Sequence, residues 1–138
     1  MKMATRVALL LLALLMCISF AACADVEETG AWENATYTSD KTFGKGEKTV
    51  TVVITAEEQT LTFTIKTDKA TLGEAMREHG LTEEDNGLIH TINGIKADFN
   101  DGGWWWMFTK NGEMMMVGAN DTPIADGEQY EFTRTNTF

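Results

Sequence analysis

The chain has little cysteine, little proline and little serine. Of its 138 residues two are cysteine (Cys17, Cys23), one is proline (Pro123) and two are serine (Ser19, Ser39). Cys17 lies in the apolar N-terminal stretch, so Cys23 is the one thiol beyond it and no disulfide closes within the exported part. The fold must therefore rest on its hydrophobic core. With no serine after Ser39 and no cysteine after Cys23, the usual nucleophiles of covalent catalysis are missing. A glycine-rich phosphate loop and a histidine–carboxylate pattern are missing too, and no carboxylate pair stands out, so an enzyme is not expected. Neither His79, at the end of a helical stretch, nor His90, in a strand, has a cysteine or a second histidine near it in sequence, which argues against a metal centre. Positive charge is scarce: 11 Lys and Arg against 21 Asp and Glu give −10. That balance excludes nucleic acid, whose phosphates need a basic patch.

One long apolar run is present, and it sits at the N-terminus. Lys2 and Arg6 precede Val7 to Phe20, and the small residues Ala21 and Ala22 stand before Cys23. This is the layout of a secretory signal peptide over residues 1–22, with an apolar region short for a bilayer span. Phe20-Ala21-Ala22-Cys23 resembles the bacterial lipobox, which implies acylation of Cys23 and a lipid anchor on the outer face of the cytoplasmic membrane; two or more acyl chains make such an anchor firm. Ordinary cleavage with free secretion is the alternative. Removing residues 1–22 takes two cations and no acid, leaving 9 − 21 = −12. Residues 23–48 are rich in Glu, Thr, Gly, Asp and Lys, with Trp32, Tyr37 and Phe43 in no sustained period. They are expected to form a tether, unless Trp32 and Tyr37 dock as an extra edge strand.

Residues 49–138 then form one small domain. Thr49 to Ile54 and Thr60 to Thr67 are β-branched and alternate at period two, predicting a hairpin. Thr71-Leu72-Gly73-Glu74 fits a capping box, Leu72, Ala75 and Met76 form an apolar stripe, and Gly80-Leu81 fits a left-handed C-cap, predicting a single helix. Leu88 to Ile92 reads as a strand ending at Asn93-Gly94. Asn111-Gly112 joins Trp104-Trp105-Trp106-Met107-Phe108 to Met114-Met115-Met116-Val117 as a second hairpin. A last strand covers Gln129 to Thr133. The fold class is α+β, with one helix packed on a mostly antiparallel sheet.

The tryptophan run is the most informative stretch. Side chains alternate along a strand, so Trp104, Trp106 and Phe108 face one way and Trp105 and Met107 the other. One face, carrying Trp104 or Trp106, is expected in the core; the other offers Trp105 as a stacking platform for a flat ring. The methionines of the facing arm fill core gaps or form an adaptable apolar patch. Asp98-Phe99-Asn100-Asp101-Gly102 resembles a calcium loop but puts glycine where the third ligand belongs and lacks the closing glutamate. Glu83-Glu84-Asp85-Asn86 reads as a solvated loop.

The sequence from the first hairpin and helix through Ile92-Asn93-Gly94, Lys110-Asn111-Gly112-Glu113, Val117-Gly118-Ala119 and Pro123-Ile124-Ala125-Asp126-Gly127-Glu128-Gln129-Tyr130-Glu131-Phe132 resembles the C-terminal β-domain of transcobalamin and intrinsic factor, over about residues 49–135. The resemblance implies a β-grasp-like fold and a non-catalytic domain that binds a corrinoid or cobalamin. The helical barrel that completes the vertebrate carriers has no counterpart in these 138 residues, so the resemblance implies half of the clamp. On this reading Trp104, Trp105, Met115 and the loop Gly118-Ala119-Asn120-Asp121 line the ligand site, with His90 or His79 as conceivable cobalt ligands. A second reading is an interaction or adhesion module, gripping a surface protein or cell-wall polymer through the same hairpin; a third is a structural spacer.

Overall fold

The computed structural model describes residues 30–138. The signal segment 1–22, the lipidation site Cys23 and the first part of the expected tether lie outside the described residues.

The two β-branched runs form β2 (Lys48–Ala56) and β3 (Gln59–Thr67), antiparallel from Lys48↔Thr67 to Ala56↔Gln59. Their alternation buries Val50, Val52, Ile54, Leu61, Phe63 and Ile65 on one face and leaves mostly threonines on the other. The turn between them is tight enough to hold Glu57 at φ 56. Helix α1 (Leu72–Glu78) starts at the expected capping box: the Glu74 amide donates to Thr71 Oγ1 at 3.3 Å, and Glu74 Oε2 accepts from the Thr71 amide at 3.4 Å. It stops where Gly80 turns left-handed at φ 66 and the Leu81 amide donates back to the Met76 carbonyl at 3.1 Å. Leu72, Ala75 and Met76 are fully buried against the sheet.

The other strands are β1 (Lys41–Gly44), β4 (Thr82–Asp85), β5 (Leu88–Ile92), β6 (Ile95–Lys96), β7 (Trp105–Lys110), β8 (Glu113–Met114) and β9 (Gln129–Thr135). A six-stranded sheet runs β1-β3-β2-β9-β7-β8, and a three-stranded sheet runs β4-β5-β6. Among the described residues only β1–β3 and β2–β9 pair in parallel. The architecture is thus the expected α+β one, a sheet-dominated fold with one α-helix among the described residues. Two local expectations give way. Glu83-Glu84-Asp85 is not a loop; it belongs to β4, which pairs with β5 through a bulge at Glu83/Glu84. An acidic edge strand lacks the apolar alternation that marks strands in sequence. The methionine arm is not a full strand: beyond Glu113–Met114 only the Met115 amide still bonds to β7, at 2.9 Å from the Phe108 carbonyl.

The expected tether is corrected from Gly30 onward, because residues 30–48 pack on the domain. A 3-10 turn over Ala31–Asn34 drops Trp32 into the core at 3% exposure, its Nε1 donating to the Ala56 carbonyl at 2.9 Å. Asn93 then holds the next residues. Its Oδ1 accepts from the Tyr37 amide at 2.9 Å, its Nδ2 donates to the Tyr37 carbonyl at 2.9 Å, and its own carbonyl accepts from the Thr36 amide at 2.9 Å. Asn93 is fully buried, and these bonds offset the cost of desolvating its amide. Strand β1 follows along β3 and sets Phe43 against Phe63, with ring centroids 5.6 Å apart.

Candidate functional site: the tryptophan cleft

Strand β7 sits between β9 and the short β8, and its two faces meet different surroundings. Trp106 and Phe108 pack against the core; Phe108 stacks on Phe132 at 4.6 Å and 3°. Trp106 Nε1 donates to the His90 carbonyl at 3.2 Å, which ties the small sheet across the large one. Trp104 lies just before the strand, beneath Arg134, whose guanidinium is 4.0 Å from the ring centroid. Gly102 permits this placement: at φ 94 it bears no Cβ, and one there would stand 2.9 Å from Trp104 Nε1. On the opposite face Trp105 stacks on Phe138 at 5.5 Å and 13°, with its Nε1 donating to the Thr137 carbonyl at 3.2 Å.

Where the small sheet leans over this strand there is an open cleft of ≈ 500 Å³. Its apolar wall is Trp104, Trp105, Trp106, Phe99, Leu88 and Ile89, and its polar rim is Asp85, His90, Lys96, Asp98 and Asn100. Leu88 and Phe99 are 74% and 60% exposed, unusual values for large apolar side chains. Lys96 Nζ stands 3.5 Å from Asp98, and Asp98 Oδ1 accepts from the Asn100 amide at 3.0 Å, fixing the loop. The His90 ring lies between Thr91 Oγ1, 2.7 Å from Nδ1, and Asp85 Oδ2, 3.4 Å from Nε2. Arg134 donates Nε to the Lys96 carbonyl at 2.8 Å; burial lowers its pKa from the ordinary value, and Glu57 works against that shift.

The structure brings some of the sequence-selected residues together. Trp104 and Trp105 line the cleft. Gly118 and Ala119 line a smaller apolar hollow of ≈ 110 Å³ beside it, which shares Leu88, Ile89 and Trp106 with the cleft. Asn120 is committed elsewhere: its Oδ1 accepts from Arg77 at 2.8 Å and its Nδ2 donates to Glu84 at 2.6 Å and to the Gly87 carbonyl at 3.2 Å. Asp121 is exposed and Met115 half-buried, and neither is among the lining residues of the cleft or the hollow. Leu88, Phe99 and Asp85 are cleft residues that sequence reasoning did not select. An exposed Phe in a loop rich in Asp and Gly was the available signal for Phe99. His79 does not line the cleft; it stacks on Phe43 at 5.2 Å, with Nε2 buried and without a hydrogen bond. Among the described residues no three His, Cys, Asp or Glu side chains converge as metal ligands, and no helix is long and apolar enough to cross a membrane.

Residues 69–136 match the family described as Domain of unknown function (DUF4430). Among solved structures, a candidate metal-binding protein from Ruminococcus gnavus is 30% identical, with a TM-score of 0.62 over 67% of this chain and 100% of that one. Haptocorrin, solved in complex with Cbi, gives a TM-score of 0.55 at 19% identity over 70% of this chain; the match spans 27% of haptocorrin. At that identity the likeness is one of fold, and the fold is transcobalamin-like. No curated protein sequence matches the chain significantly.

Proposed function

We propose that this chain, which carries a DUF4430 domain, is an exported, lipid-anchored and non-catalytic binding protein whose tryptophan cleft takes one face of a corrinoid. The observation that carries the reading is the cleft itself: an aromatic wall of Trp104, Trp105, Trp106 and Phe99, open to solvent, under a rim of hydrogen-bonding groups. Flat π-surface beside a few polar groups suits a planar macrocycle ringed by amides. The fold shared with haptocorrin, which was solved with a corrinoid bound, adds support. A cleft of ≈ 500 Å³ is too small to enclose such a ligand, so the other face is left to solvent or to a second surface. Lipid anchoring rests on the lipobox-like Phe20-Ala21-Ala22-Cys23.

The test is tryptophan fluorescence of the full-length protein titrated with cobinamide and cobalamin, corrected for inner-filter absorption. Saturable quenching, weakened about 3–10-fold by Phe99→Ala or Trp105→Ala, is the expected result, since each aromatic contact contributes about 0.5–1.5 kcal/mol. Absence of saturation up to millimolar ligand overturns the corrinoid reading.

One observation favours a second reading, the interaction module. Met116 is 92% exposed, and Met114, Val117 and Leu88 around the hairpin are also exposed, an adaptable apolar rim of the kind that grips a protein or polymer. Retention of the protein on cell-wall extract, lost on Leu88→Glu and Met116→Glu while corrinoids have no effect, would establish that reading in place of the first.

A further inference from the structure

We infer that the outer edge of β7 is a docking site for an extended, basic segment of a partner protein, which joins the large sheet as a further strand. The inference rests on the interaction-module reading above and names the chemistry of its partner. Along its inner edge β7 is paired with β9 from Trp105 to Lys110. Along its outer edge β8 reaches only Thr109 and Lys110, and the chain then bends at Met116 and Val117. What is left open has a definite phase. The Met115 amide bonds to the Phe108 carbonyl, so Phe108 directs its backbone groups outward, away from β9. Successive residues of an antiparallel ladder alternate between the two edges, and Trp106 therefore points outward as well. The Trp106 amide and carbonyl and the Phe108 amide have no partner among the described residues. An aligned row of such groups is a template for another strand.

Other edges of the fold are blunted against that event. Strand β1 carries Lys41, β6 carries Lys96, and β4 carries Glu83, Glu84 and Asp85 across its bulge. Charges and bulges are the devices that keep foreign strands off an edge. From Trp104 to Phe108 there is no charge, no proline and no break in the register with β9. Space also lies beside this stretch. The cleft and the ≈ 110 Å³ hollow share Leu88, Ile89 and Trp106. A residue set opposite Trp106 in an added strand turns its side chain to the same face as Trp106, toward the hollow. At about 30 Å³ for a water-sized group, the hollow takes roughly three or four carbons, a valine or leucine side chain. The chain's formal charge of −10 favours lysine or arginine beside that aliphatic residue over aspartate or glutamate.

The experiment reads amide exchange in the full-length protein, alone and with a synthetic peptide. In the free protein the Trp106 and Phe108 amides should exchange faster than those of Met107 and Thr109, which point toward β9. Equal protection of all four overturns the open edge. The probe is acetyl-Lys-Thr-Leu-Thr-Val-Thr-Lys-amide, set against its counterpart with glutamate in place of both lysines. Saturable binding of the basic peptide is expected, with protection appearing at the Trp106 and Phe108 amides. N-methylation of alternate peptide amides should weaken binding at least about 10-fold in one phase, the scale of two or three lost main-chain bonds, and be tolerated in the other. Gly118→Val adds a Cβ that meets no atom within 4 Å and fills the hollow, so it should weaken binding about 10-fold, the scale of one aliphatic side chain left unburied. Equal affinity for the acidic counterpart overturns the basic character of the partner. Binding that neither phase of N-methylation weakens overturns strand addition and leaves the interaction-module reading standing. Failure of both peptides at millimolar concentration overturns the docking inference, while retention on cell-wall extract decides the interaction-module reading separately.

Discussion

Replacing glycine by alanine inside a helix ordinarily stabilises by about 0.5–1 kcal/mol. At Gly73 the same change is expected to destabilise, because the new Cβ would stand 1.9 Å from Asn120 Oδ1 and 2.8 Å from Asn120 Cα. Overpacking of that kind costs about 1–3 kcal/mol, and a lower urea midpoint for Gly73→Ala is the check. The clash points to what Asn120 does. Its carboxamide joins Arg77 of α1 to Glu84 of β4 and the Gly87 carbonyl, alongside the direct Arg77–Glu84 contact at 3.0 Å. Asn120→Ala should cost about 1–2 kcal/mol and raise amide exchange in β4 and β5 more than in β2 and β3. The sequence marked Asn120 as a loop residue of interest, but three partners from three separate segments are not readable from the residue's neighbours. Gly73 carried even less signal, since a glycine after a good cap looks like a mild defect rather than a close approach.

Among elements, those with a strict period were legible. The β2–β3 hairpin and α1 follow from spacing because each meets a single surface along its length, and β7 was legible as a strand from its Asn-Gly turn although its residues are all half-buried. The 3-10 turn and β1 were not legible: Trp32 bonds to the Ala56 carbonyl while Tyr37 and Phe43 gather on Phe63, with ring centroids 5.9 and 5.6 Å from it, and spacings of five and six residues fit neither a helix nor a strand period. Strand β4 was missed because charged residues fill its exposed positions. In the cleft, Trp104 and Trp105 were singled out from the tryptophan run, whereas Trp106, set by alternation on the face opposite Trp105, joins the lining together with Leu88, Phe99 and Asp85 only through the lean of the small sheet on β7. These elements also set where the folding unit begins. A chain starting at Thr49 loses Trp32 from the core and the bonds to Asn93, and removal of a large buried aromatic alone costs about 3–5 kcal/mol. Such a chain is expected to show a collapsed near-ultraviolet circular dichroism signal, and a chain starting at Gly30 to retain it. Equal unfolding midpoints for the two would contradict the docking of residues 30–48.

At the scale of the molecule, Glu128 fastens β9 to β7 through Lys110 and also takes the Ala125 amide. Burial pushes its carboxyl up, but Lys110, the Ala125 amide and the Tyr130 hydroxyl outweigh that and hold it below the ordinary value of 4.5. A carboxyl depressed in the fold stabilises above its unfolded pKa, and that stabilisation disappears as pH falls through the folded value. Stability should therefore decline as pH drops below 4.5, and Glu128→Gln should flatten the decline while leaving a lower, pH-independent baseline; thermal melts across that range read both. The central position of β2 has a further consequence, for the order of assembly. One edge of β2 is closed by β3 through a two-residue turn, but the other waits for β9, with Thr51 meeting Gln129 at a separation of 129 − 51 = 78 residues. Until the last strand arrives, the β2–β3 hairpin presents a nine-residue edge rich in valine and threonine, the kind of template that recruits foreign strands. Loss of residues 129–138 should thus leave a domain that aggregates rather than one that is merely shortened.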